Sequence, residues 1–160
     1  MSKNFKVKLS FYASLFVGLI LLIAAFSKLF FPSDLLITFD RLIAIFEVML
    51  VASLVLFHDE WKSWALIAPI FMLWAGYSFF WMLWGLPCGC LGKLVHLPSG
   101  LTLSLDILFF ITALWLATLL GAGKRLKLVL LAAVGGVPVG FFIAYGVYRY
   151  LTYFINYVAD

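Results

Sequence analysis

The sequence predicts an all-α bundle of membrane-spanning helices, and three observations carry that prediction. Apolar residues make up 66% of the 160 positions and charged residues 11%, whereas soluble domains carry roughly half apolar and about a quarter charged residues. The mean hydropathy is +1.17. Five apolar runs, each near the roughly 20 residues that a helix needs to cross hydrocarbon, are parted by short breaks. So few polar side chains leave no room for a separate soluble unit, and residues 1–160 read as a single integral membrane domain.

The first run covers about 9–31. It is long for a secretory leader, and Ala24-Ala25-Phe26 leads past Lys28 into further apolar sequence, so it reads as a retained helix. Pro32-Ser33-Asp34 stops it, and Ser33 or Asp34 is placed to cap the second run, about 35–57. His58-Asp59-Glu60 divides the second run from the third, about 64–86, which Pro87 is expected to end. The fourth run covers about 101–120, and Gly121-Ala122-Gly123 with Lys124 and Arg125 parts it from the fifth, about 126–150. Short connections make neighbouring helices antiparallel, an up-down bundle. Trp61, Trp64, Trp81 and Trp84 flank the third run and read as interface anchors, and Tyr145, Tyr148, Tyr150, Tyr153 and Tyr157 as an outer aromatic belt.

Positive charge predicts the orientation. With a cytoplasmic N-terminus, Lys3, Lys6, Lys8, Lys62, Lys124, Arg125 and Lys127 lie inside, and Lys28, Arg41, Lys93 and Arg149 outside. That asymmetry obeys the positive-inside rule. The basic residues sit at segment ends rather than in a stripe, so the net charge of +4 points to the lipid bilayer as partner and not to nucleic acid.

The only two cysteines stand one residue apart in Pro87-Cys88-Gly89-Cys90-Leu91-Gly92, on the extracytoplasmic side in this orientation. Thiols there can be oxidised. A bridge between positions i and i+2 closes a small ring that departs from the geometry natural disulfides prefer, and strained, exposed bridges are the exchange-active ones. Gly89 supplies backbone freedom for closure, and Lys93 and His96 favour a thiolate. Either sulfur is a candidate attacking thiol. Two other readings stand beside redox exchange. One is an inert or structural pair; the other is a Cu(I) clip with His96, weakened by the lack of a second cysteine pair or a Met cluster.

Ionisable residues inside spans are costly and are usually paired or functional. At about 1.5 Å per residue, Lys28, Asp40, Arg41 and Asp106 lie about 5–9 Å below the outer ends of three helices. They are expected to form an ion-pair ring beneath the cysteines, with Lys28 on Asp40 or Asp106. Glu47 is deeper, with no cation at its depth, and reads as protonated, hydrogen-bonded or facing a polar cavity. Ala132, Gly136, Gly140 and Ala144 recur every four residues in the last run and make a smooth ridge, for packing inside the bundle or against a partner subunit or second copy. No phosphate loop, nucleophile elbow or His pair at helical spacing is present.

Gly18-Leu-Ile-Leu-Leu-Ile-Ala-Ala-Phe-Ser-Lys28-Leu-Phe-Phe-Pro32 resembles the first-helix pattern of the DoxX-like membrane proteins, and Arg41 with Glu47 their second helix. Pro87-Cys88-Gly89-Cys90-Leu91-Gly92 is similar to the Cys-Gly-Cys-Phe-Gly signature of the MauE branch, the methylamine-utilisation membrane proteins, with Leu91 in place of Phe. The resemblance runs in order from the first apolar run to the fourth. It implies a four-helix redox-associated core in the bacterial inner membrane, here with a fifth C-terminal helix added, working with a thioredoxin-like periplasmic protein. The function expected is thiol–disulfide exchange through Cys88 and Cys90, with electrons passing to a quinone or to that partner. The alternatives are an accessory subunit docked through the fifth helix, and a Cu(I) or small-solute transporter.

Overall fold

The computed structural model describes residues 3–32, 37–86, 88 and 97–159, and among these all regular structure is helical. Five α-helices follow in order, α1 (Lys3–Phe30), α2 (Ile37–Leu56), α3 (Trp61–Leu83), α4 (Ser99–Leu119) and α5 (Leu126–Ala159), with a 3-10 turn at Gly123–Arg125 before the last. Four of them, α1, α3, α4 and α5, are long and apolar enough to cross a membrane. The exception is α2, a 20-residue helix carrying Asp40, Arg41 and Glu47. Ser33 and Asp34, the expected caps of α2, lie outside the described residues.

The third helix is the centre of the bundle, with α4 and α5 packed along it while α1 pairs with α2. Val17, Leu21, Leu54, Ile67, Phe71 and Leu116 bring α1, α2, α3 and α4 into one buried core. Hydrogen bonds close the end opposite the cysteines. Ser10 donates to the His58 carbonyl, the Trp64 indole N–H lies 2.8 Å from Ser10 Oγ, and Lys6 Nζ donates to the Leu119 carbonyl at 3.1 Å. These contacts join the start of α1 to the turn after α2 and to the end of α4, as an up-down bundle requires.

Two helix ends are set by glycine rather than proline. Gly85 has φ of 65°, the left-handed region that side chains disfavour. Its N–H bonds the Met82 carbonyl at 3.1 Å and the Leu86 N–H bonds the Trp81 carbonyl at 3.1 Å. That is a Schellman motif, and it ends α3 four residues before Pro87, the residue expected to do so. Gly121, at φ 111°, closes α4 with the same pair of bonds.

The small-residue ridge of α5 is spent inside the bundle. A Cβ at Gly136 would come within 2.8 Å of the Pro69 carbonyl oxygen, and one at Gly140 would overlap the Leu73 carbonyl. Gly76 of α3 makes the reciprocal approach to Val137, so the two backbones touch. Ala144 is buried in the same interface. Ala132 is not, which corrects the expected ridge. It is exposed, and its neighbour Ala133 is buried instead. Four-residue steps on a helix of 3.6 residues per turn drift by about 40° each, so a strict i+4 row leaves the contact line within a few turns.

The tryptophans need a second correction. Trp64 is fully buried and Trp81 nearly so, and both are core residues rather than lipid-interface anchors.

Candidate functional site

Cys88 packs against the end of α3 and the middle of α5. It is 6% exposed and shares a buried cluster with Phe80, Trp81 and Ala144. Tyr148 covers this cluster, its ring 5.9 Å from Phe80, 6.3 Å from Trp81 and 6.2 Å from Trp84. Tyr148, expected in an outer-leaflet aromatic belt, is also part of the wall around the cysteine. The reason lies in the length of α5. Its 34 residues extend about 50 Å against roughly 30 Å of hydrocarbon, which carries Tyr148 up to the end of α3, beside Trp84. Cys90, Lys93 and His96 lie outside the described residues.

Polar groups of α3 and α4 meet Cys88 in this apolar setting. Ser78 Oγ lies 3.5 Å from Cys88 Sγ. The same hydroxyl donates to Asp106 Oδ2 at 2.8 Å. Ser78 is fully buried and Asp106 partly so. Asp106 therefore reaches the cysteine through one intervening hydroxyl, an uncharged group that charge patterning does not mark. The signal for Ser78 was thin, one hydroxyl among aromatic residues in Tyr77-Ser78-Phe79-Phe80.

The charged residues of α1 and α2 are arranged differently from the expected ring. Lys28 pairs with Glu47, Nζ to Oε1 at 2.5 Å, and both side chains are almost wholly buried. The partner is neither Asp40 nor Asp106. Helical side chains lean toward their own N-terminus. In the antiparallel pair, Lys28 leans down into the bundle and Glu47 leans up, so residues well separated in Cα depth converge. Asp40 is half-buried within electrostatic range of Glu47, and Asp106 within range of Lys28. Arg41 is exposed and takes no place in a buried ring. It is turned about 100° from Asp40 on the helix and lies in the outer part of α2, where a long cationic side chain can reach the interface.

Glu47 Oε2 is buried with no hydrogen-bond partner among the described residues. No three His, Cys, Asp or Glu side chains gather as a metal site among the described residues. In chemical terms the site offers a shielded sulfur, a hydroxyl and a carboxylate in series, with an ion pair beside them.

No family model, curated protein or solved structure matches the chain. The resemblance to the MauE branch accordingly rests on the motif residues, and function must be argued from the site.

Proposed function

We propose that the chain is a multi-pass membrane thiol–disulfide exchange protein whose working group is the Cys88–Cys90 pair. The observation that carries this reading is the polar series at Cys88. In a protein with 11% charged residues, burying a hydroxyl and a carboxylate beside a sulfur costs free energy unless they are used or fully bonded. An inert cysteine needs neither. The motif resemblance points the same way.

The membrane reading takes α2 as the fifth span, its Glu47 charge met by Lys28. The N-terminus is cytoplasmic and the cysteine loop faces the periplasm of a bacterial inner membrane. A periplasmic dithiol is oxidised by the pair, and the electrons leave to a thioredoxin-like protein or to a quinone. The accessory-subunit reading has lost its main support, because Gly136, Gly140 and Ala144 are occupied by α3.

The burial of Cys88 also supports separate roles for the two sulfurs. At 6% exposure Cys88 is shielded from a protein thiol, so Cys90 is the encounter sulfur and Cys88 the leaving one. Cys88→Ser should therefore accumulate a mixed disulfide between Cys90 and a thioredoxin-like partner, whereas Cys90→Ser should accumulate little. Trapping through Cys88 alone would reverse the assignment, and no adduct in either variant would count against exchange.

A further inference from the structure

We propose that Asp106 exchanges a proton with Cys88 through the Ser78 hydroxyl, acting as acid when Cys88 leaves as a thiolate and as base when it is reoxidised. The inference rests on the exchange reading and adds a role for two residues to it.

The geometry supplies the path. A serine hydroxyl has one proton, which Ser78 gives to Asp106 at 2.8 Å, and its oxygen lone pairs face Cys88 Sγ at 3.5 Å, where they can accept from the thiol that reduction of the pair would create. A substrate thiolate attacks Cys90 Sγ, the new sulfur–sulfur bond forms, and the Cys88–Cys90 bond breaks with its electron pair on Cys88. Ser78 then passes its proton to Cys88 and takes one from the Asp106 carboxyl. The second substrate thiol attacks the mixed disulfide, releases Cys90 and gives up its own proton. The substrate dithiol becomes a disulfide while the pair becomes two thiols, so electrons and protons balance. Reoxidation by a disulfide or a quinone runs the Cys88 proton back to Asp106.

Proton hand-over matters here because the sulfur is walled by Phe80, Trp81 and Ala144, and a bare thiolate in an apolar wall is disfavoured. Moving the proton within the Cys88–Ser78–Asp106 series keeps the net charge constant. Among the described residues, the other ionisable groups nearby are Tyr148 from α5, Tyr77 from α3, and Lys28, which acts on Asp106 from α1. On α2, Glu47 is the partner of Lys28, and Asp40 acts on both Glu47 and Tyr77.

The test is the pH profile of Cys88 alkylation by a small neutral reagent in full-length Cys90→Ser protein, where Cys88 is the only thiol. Asp106→Asn and Ser78→Ala should each slow alkylation at pH 7 by at least about tenfold and move the profile to higher pH, as loss of a general base does. Ser78→Thr, which keeps the hydroxyl, should restore most of the rate. Opposite signs separate this role from a bystander charge. A carboxylate that merely stands near the sulfur repels the thiolate, so its removal would speed alkylation. Faster or unchanged alkylation in Asp106→Asn, or in Ser78→Ala should the first variant fail to fold, would overturn the relay. Because alkylation needs no exchange partner, a relay that holds while mixed disulfides fail to form would refute the exchange reading alone.

Discussion

At the residue scale, Lys28 and Glu47 form an almost wholly buried ion pair, the one such pair among the described residues. Removing one member strands the other in an apolar interior, which typically costs 3–5 kcal/mol, whereas replacing both with apolar residues of similar volume is often neutral. Lys28→Met and Glu47→Leu should each lower the thermal midpoint in detergent, and the double variant should recover most of the loss. A double variant as unstable as the sum of the singles would mean that the two residues act independently. The pair is hidden in the sequence because the Cα positions of the two residues lie at different depths. Leaning side chains and a long lysine close a separation that backbone arithmetic leaves open. Asp106 and Ser78 were obscure for a related reason: a serine within an apolar run has no periodic signature, and only the packing of α3 on α4 shows which carboxylate it serves.

At the element scale, the five helices were legible because apolar runs of spanning length and their polar breaks are written directly in composition. Boundaries were less so. The glycine that closes α3 is Gly85, but proline is the more conspicuous symbol, and the Schellman bonds around Gly85 are visible only in the backbone. The ridge on α5 was legible as smoothness, and its partner was not, since small residues fit another subunit or a neighbouring helix equally well. Contact with α3 yields a direct prediction. Gly140→Val should destabilise the bundle by about 1–3 kcal/mol or more through overpacking against the Leu73 carbonyl. Gly146→Val on the same helix, with nothing within 4 Å of its added Cβ, should cost far less. Comparable losses at the two sites, measured by thermal unfolding in one detergent, would place the α3–α5 contact elsewhere.

At the scale of the whole molecule, one end of the bundle is tied by backbone-directed hydrogen bonds from Lys6 and Ser10, and the other holds the polar series and Cys88, walled by Ala144 and Tyr148 of α5. That polarity suits the proposed exchange role, with an anchored side and a side that would present chemistry. The fifth helix, an addition to the four-helix pattern that the motifs resemble, acquires a local purpose as a wall for Cys88. The most direct test of the exchange function is a redox titration of the cysteine pair in the intact membrane, using glutathione buffers and an impermeant thiol reagent applied from outside. The account predicts reversible, two-electron labelling of Cys90 from the periplasmic side. The midpoint should lie well above the roughly −300 mV below which structural bridges fall, because a two-residue separation strains the ring. Labelling only after the cells are opened, or a pair that stays reduced in an oxidising periplasm, would contradict it.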